Sequence, residues 1–394
     1  MLSEGDRIMW GRRKVLGFEA IDAAVGAAMG AEGAAPGAPR GVDGRHARLG
    51  DFDVESRHEF TKSFGVLQRR RIRASANAAL DRLLAREGLD PNEKISMDTL
   101  LALIDGQPEI NISPKTWLAN QRLTWSNLQA FFHANADAYL SAMEAADRRG
   151  PGTLEMDPGM QIPDHARHQV HIQPGGYVGD PFAGFMYQHA TNSFWFAARG
   201  HNDQDQIHRG AVNKLPVPRD GKVRRILDYG CGIGQFTTAL KERFPDAEVW
   251  GLDIGAPMIR YGHMRAARLG YDVNFVHRLA EDNGFPDGYF DLVTSFIAHH
   301  EMPAEVSRQV VAEVQRTSRP GAVFYPVDFR NGGTEMVPRS LFGRWWDHRW
   351  NNEPWSLEFS AMDFDSDIQA RGFEQVANAE SVFRGFGVRH FTRV

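Results

Sequence analysis

A single cysteine, Cys231, excludes a disulfide framework within this chain of 394 residues and fits a reducing compartment. No apolar run approaches the ~20 residues that span a bilayer, so no membrane partner is expected. Charge of one sign is also missing. Against 45 basic residues stand 50 acidic ones, a net charge of −5, which leaves no basic footprint for nucleic acid. The first residues carry Glu4, Asp6, Arg7 and Arg12 to Lys14 without the apolar core of a signal peptide, and a cytoplasmic location is the expectation. Paired cysteine ligands and an HExxH string are absent. The histidines His165, His168, His171, His189, His201 and His208 have no metal-ligand spacing, so no metal is expected. No internal repeat is found. What the chain does have is 42% hydrophobic residues, ample for a folded core.

The most informative stretch is Val223 to Leu240. The apolar pair Ile226-Leu227 leads to Asp228. Glycines follow at alternate positions, Gly230, Gly232 and Gly234, and then a helical pattern carries Phe236, Ala239 and Leu240 on one face until Pro245. This is a buried strand, a tight turn and a helix. The glycines permit positive φ and remove the Cβ atoms that would keep a ligand off the backbone, and the helix start offers free N–H groups. A dinucleotide fingerprint would read G-x-G-x-x-G. Here the string is D-x-G-x-G-x-G, and Glu248 to Asp253 forms a second strand ending in an acid suited to a ribose diol.

These residues resemble the class I S-adenosylmethionine-dependent methyltransferases. The resemblance implies that Asp228 lies near the methionine amino group, that Gly230, Gly232 and Gly234 pack on the cofactor, and that Asp253 holds the ribose hydroxyls. It also sets Tyr229, Ile254, Met258 and Ser295 beside the cofactor, with Ala280 and Glu281 at the adenine edge. The later pattern continues the match. Phe290 to Phe296 corresponds to the fourth strand, Ala304 to Thr317 to a helix, Arg319-Pro320-Gly321-Ala322 to the turn into the fifth strand, and Gly372-Phe373 to the entry of a late strand. Pro326 departs from the pattern and suggests a bulge or strand end. The implied fold is α/β: a Rossmann-like, mostly parallel seven-stranded sheet with helices on both faces.

The resemblance covers about 223–394, the catalytic domain, with an insertion at about 331–360 in the usual lid position. Residues 151–222 form an aromatic-rich bridge and cofactor lid, and residues 1–150 a helical accessory domain. In that domain, Glu19 to Met29 reads as a helix, 30–50 as a loose connection, 56–87 and Met97 to Ile104 as helices, and Ser126 to Arg149 as a helix with a capping box at Ser126 and Gln129. Its role is open between a homodimer surface, a wall of the acceptor pocket and a cap.

The expected function is transfer of a methyl group from S-adenosyl-L-methionine to a small-molecule acceptor, with oxygen or carbon favoured. Tyr177, Tyr187 and Trp195 of the bridge and Trp345, Trp346 and His348 of the insertion are the candidate acceptor contacts, with plain core packing as the alternative for each group. His299 and His300 follow the fourth strand. One of them is the candidate general base, with Glu301 to orient it; bracing the loop is the alternative role. Two rivals stand against this reading. A nicotinamide oxidoreductase requires the fingerprint that is missing here, and a non-catalytic cofactor-binding subunit would not turn over.

Overall fold

The computed structural model describes residues 49–193, 204–377, 381, 386–387 and 389–394. The expected helix at Glu19 to Met29 lies outside them, as does Trp195.

Eight strands form one sheet: β1 (Leu154–Glu155), β2 (Arg225–Tyr229), β3 (Glu248–Asp253), β4 (Asn274–His277), β5 (Phe290–Phe296), β6 (Ser318–Val327), β7 (Phe373–Gln375) and β8 (Phe391–Arg393). Their order is β1-β4-β3-β2-β5-β6-β8-β7. β1 to β6 are parallel, and β8 runs against both its neighbours. The sheet exceeds the expected seven strands by one, the two-residue β1 from the bridge, which was too short to show a period of its own. Pro326 sits inside β6, paired in register with Ser295, rather than ending it. The sheet tolerates it because β8 pairs with β6 only at Val323 and Phe324, so no ladder donor is needed from Pro326 on that side.

β2 lies between β3 and β5, so the chain reverses direction across the sheet there. In such sheets the crevice for a ligand opens at the carboxyl ends of the strands beside that reversal. The glycine turn stands at this point. Gly234 has φ +70° and starts helix Gln235–Arg243, and a Cβ there would lie 2.4 Å from the Phe275 ring. Gly232 has φ +54°, but a Cβ there would meet nothing nearer than Met258 Cε at 3.8 Å. Gly234 is thus required by packing, and Gly232 faces open space.

The sheet is apolar on both faces. One face buries Leu227, Val293 and Phe324 with Val310 and Val314 of helix Ala304–Thr317, whose stripe is at the expected positions. The other buries Ile226, Val249 and Leu292 with Phe236 and Leu240.

The N-terminal part is helical. α1 (Phe52–Leu67) continues through a π-helical turn at Gln68–Ile72 into α2 (Arg73–Arg86), and α3 (Met97–Ile104) follows. The expected helix from Ser126 is corrected. α4 (Pro108–Ala134) begins eighteen residues earlier and stops at Asn135, where α5 (Ala136–Ala146) takes over. Ser126 therefore lies mid-helix. Gln129 does not cap; its Nε2 donates to Asp180 Oδ2 at 3.2 Å. Trp125, Leu128, Phe131 and Phe132 of α4 share a core with α6 (Ala183–Thr191) and with Met258, Tyr261 and Met264 of helix Ala256–Arg268 beside β3. A second cluster joins Leu80, Leu83, Leu100 and Ile104 to Leu341, Phe342 and Trp345 of helix Pro338–Trp350, the insertion after β6.

The two glycines give a test. Gly234→Ala meets the left-handed backbone cost of about 1–2 kcal/mol and in addition an overpacking cost of about 1–3 kcal/mol. Gly232→Ala meets only the first. Urea unfolding should show the larger loss at Gly234, and equal losses would contradict the packing against Phe275.

Candidate active site

Beside the glycine turn, at the carboxyl ends of β2, β3 and β5, lies a cavity of about 640 Å³. Its wall takes in Gly230, Gly232, Asp228, Asp253 and Met258 about the glycine turn. It also takes in His171, Tyr177, Tyr187, His300, Glu301, Trp346 and Glu353, with Arg69, Arg73 and Trp117.

The part of the wall at the glycine turn is pre-formed by hydrogen bonds. The N–H of Gly232 donates to Asp253 Oδ2 and that of Gly255 to Oδ1, both at 2.7 Å. The strand-ending acid therefore clamps the turn besides lining the cavity. Burial raises the Asp253 pKa, and these backbone donors oppose that effect. Thr237 Oγ1 donates to Asp228 Oδ2 at 2.6 Å, while Asp228 Oδ1 is buried and has no partner among the described residues. Burial pushes this carboxyl up to about 8. A buried orphan oxygen on a cavity wall suits a cationic group such as an ammonium, which would also pull that pKa back down.

Several candidate residues lie elsewhere. Tyr229 points away from the cavity and its hydroxyl bonds His299 Nε2 at 2.7 Å. Ser295 is fully buried off the wall. Ile254 offers its carbonyl to His277 Nε2 at 2.9 Å. Ala280 packs on the sheet core, and Glu281 is half-buried beyond the cavity lining.

Adjacent histidines have opposite fates. His299 is enclosed, with Nε2 on Tyr229 and Nδ1 on Ser307 Oγ at 2.7 Å, so it braces the loop and does not reach the cavity. Burial lowers its pKa to about 3. His300 lines the cavity, with Nδ1 on Asp328 Oδ1 at 2.8 Å and Nε2 3.6 Å from Glu301 Oε1. Burial opposes its charge, but Asp328 and then Glu301 outweigh burial and raise the pKa to about 9. His300 is thus an imidazolium at neutral pH and a donor rather than the expected base. Asp328, which directly follows β6, also accepts from the His299 N–H at 2.8 Å.

Of the acceptor candidates, Tyr177 and Tyr187 stand edge to face with centroids 5.6 Å apart. Trp346 meets Trp117 at 4.1 Å. Trp345 instead packs in the α2–α3 cluster, and His348 is not in the cavity wall.

Sequence reasoning missed Trp117, Asp328 and Glu353 and passed over His171. His171 Nε2 lies 3.3 Å from Glu301 Oε1, and Nδ1 lies 3.1 Å from Glu353 Oε1. Burial alone would lower its pKa; the bonds to Glu301 and Glu353 outweigh burial and raise it to about 10. Glu353, two residues before Trp355 at the end of the tryptophan-rich insertion, carried no spacing signal, since its partner His171 comes from another segment.

Residues 226–321 match the family described as Methyltransferase domain. Over 124 residues, 31% of this chain, it is 36% identical to a demethylmenaquinone methyltransferase of Thermus thermophilus, covering 56% of that protein. It is 34% identical over 133 residues, 33% of this chain, to a probable chloroplastic tocopherol O-methyltransferase of Oryza sativa, covering 36% of it. A ribosomal RNA large subunit methyltransferase G of Streptomyces coelicolor is 32% identical over 141 residues, 34% of this chain and 36% of that protein. The chain thus spans about half or less of the length of these relatives.

The state of His300 is testable. Its pKa is raised only in the fold, so its contribution to stability is full below 6.5 and is lost as pH rises through about 9. His300→Gln should cost on the order of 2–4 kcal/mol more at pH 6 than at pH 10 in urea unfolding. A loss independent of pH would mean that the folded chain does not hold His300 charged.

Proposed function

We propose that this chain, whose residues 226–321 match the Methyltransferase domain family, is a class I S-adenosylmethionine-dependent methyltransferase that moves a methyl group to an oxygen or carbon of a small, flat acceptor. One observation carries the reading. The glycine turn with Asp228 and Asp253 opens on the same cavity as an aromatic wall and a cluster of titratable groups.

The residues fit the cofactor. Gly232 leaves room where a side chain would stand, Asp228 Oδ1 is an orphan acceptor for an ammonium, and Asp253 is held at the ribose position by two backbone donors. When bound, S-adenosylmethionine supplies an electrophilic methyl group on a sulfonium. The chain's own part is alignment and exclusion of water. Tyr177, Tyr187, Trp117 and Trp346 flank the acceptor space and suit an aromatic ring. His300, charged and fixed by Asp328, donates toward Glu301 or the acceptor. Glu301 and Glu353, each with one oxygen that has no partner among the described residues, present carboxyl oxygens to the acceptor space.

Two of the relatives are named for demethylmenaquinone and tocopherol and one for ribosomal RNA. A small acceptor is the better fit here, because the cavity is confined to about 640 Å³ and the chain has a net charge of −5.

Calorimetry should show S-adenosylhomocysteine binding, and none of NAD. Asp253→Ala removes a charged acceptor and the clamp on the turn, so binding should weaken by about 1.5–3 kcal/mol or more. With an aromatic hydroxyl or quinol panel, S-adenosylhomocysteine should be produced from S-adenosylmethionine. Undiminished binding in Asp253→Ala, or no binding by the wild type, would remove the proposal.

A further inference from the structure

We propose that His171, Glu301 and Glu353 form a binding site for a divalent first-row transition-metal ion, such as Mn²⁺ or Zn²⁺, at the acceptor end of the cavity. One ligand atom from each of the three lies within 4.8 Å of the others. The three residues come from separate segments: a 3₁₀ turn of the bridge at Val170–Ile172, the turn His299–Glu301 after β5, and the link between the helices Pro338–Trp350 and Ser356–Ala361.

A proton alone does not complete this cluster. If His171 is an imidazolium, its two N–H groups reach Glu301 Oε1 and Glu353 Oε1. Both Oε2 atoms are then left buried and, among the described residues, without a hydrogen-bond partner. Glu353 is only 3% exposed and lines the cavity, so its orphan oxygen has no route to bulk water except through that space. A buried carboxylate oxygen without a donor costs more than the mean worth of a hydrogen bond. An ion coordinated by these oxygens and one imidazole nitrogen satisfies them at once. One nitrogen with two carboxylates is a donor set for Mn²⁺, Fe²⁺ or Zn²⁺ rather than for Mg²⁺ or Ca²⁺, which take oxygen throughout.

The surroundings are those of a supported ligand set. Asn351 Nδ2 donates to Glu353 Oε1 at 2.6 Å and lies 2.9 Å from His171 Nδ1, while Gln121 Nε2 donates to Asn351 Oδ1 at 3.3 Å. Asp328 fixes His300, which stands 3.6 Å from Glu301 Oε1. Such outer contacts orient ligands and tune a site. The four non-glycine residues of positive φ among the described residues are His171 (φ 52°), Ile172 (52°), Ile297 (61°) and Asn352 (57°), and all belong to the segments that carry these ligands. Strain of this kind persists where the surroundings over-determine it.

The ion's place in the reaction rests on the methyltransferase reading: at this position it would hold an acceptor oxygen as a Lewis acid. Its binding does not rest on that reading. The test uses the full chain, freed of metal by a chelator and titrated with MnCl₂, with free Mn²⁺ followed by electron paramagnetic resonance and Zn²⁺ added as competitor. The expected result is one Mn²⁺ per chain, displaced by Zn²⁺. Glu353→Gln and Glu301→Gln should each weaken it by about a hundredfold, the upper end of what even an outer contact supplies. Circular dichroism shows whether each variant is folded. Glu301 is the more exposed of the two carboxylates, so its variant serves if Glu353→Gln fails to fold. His171→Asn suits the left-handed backbone and is the third variant. No saturable Mn²⁺ or Zn²⁺ binding up to ~1 mM, the weak limit for biological ion sites, overturns the inference, as does equal affinity in the folded variants. S-adenosylhomocysteine binding without metal binding would leave the methyltransferase reading standing and this inference refuted; metal binding without S-adenosylhomocysteine binding would do the reverse.

Discussion

The carbonyl oxygen of His171 is where the molecule is tied together. Gln121 Nε2 donates to it at 2.7 Å and Trp125 Nε1 at 2.9 Å, both from α4, and both donors are buried. These bonds anchor His171, which stands at φ 52°, a left-handed conformation uncommon for a non-glycine residue. With the backbone so fixed, the ring meets Glu301 on one side and Glu353 on the other. One carbonyl thereby couples the N-terminal helices, the bridge, the loop after β5 and the insertion after β6. Two carboxylate oxygens of these segments, Glu301 Oε2 and Glu353 Oε2, are left without a partner among the described residues, and both residues line the cavity.

Electrostatics then separates groups that the sequence makes equivalent. His299 and His300 are neighbours in the chain and both are buried, yet one is held near a pKa of 3 and the other near 9. The difference is direction. The ring of His299 turns to the hydroxyls of Tyr229 and Ser307, which supply no charge. The ring of His300 turns to Asp328, whose own carboxyl is held at about 2 because the charge and hydrogen bond of His300 outweigh its burial. A buried ion pair needs further hydrogen bonds to offset desolvation. Asp328 has them in the N–H groups of His299 and Phe329.

The parts legible in the sequence are those set by neighbours in the chain. The strand–turn–helix at 223–243, the acid ending β3 and the stripe of Ala304–Thr317 follow from short-range spacing, and the parallel pairing of β2 to β6 follows from alternation of strands and helices. The start of α4 was not legible: two prolines stand in its first seven residues, of which Pro108 occupies a first-turn position where no N–H is needed and Pro114 lies inside the helix. Tyr229 and Ser295 have matching places in the family pattern, but a side chain's direction at a strand end depends on what packs behind it. The cluster of His171, Glu301 and Glu353 was illegible for a stronger reason. Its members are far apart in the chain, none has a local motif, and a left-handed histidine is not visible in any propensity.

The matched region and the acceptor end of the cavity barely overlap. Residues 226–321 supply the glycine turn, Asp228, Asp253 and the His300–Glu301 turn. Trp117, His171, Tyr177, Tyr187, Trp346 and Glu353 come from before or after it. The similarity to the relatives extends over roughly a third of this chain. Under the proposed function the division has a physical basis. Every member must hold the same sulfonium donor in the same orientation, which constrains the turn and its acids, whereas each acceptor needs its own ring contacts and proton outlet. Under that proposal acceptor choice would fall to the N-terminal helices, the bridge and the insertion. The bonds from Gln121 and Trp125 to His171 are the means by which α4 fixes a residue of the cavity wall.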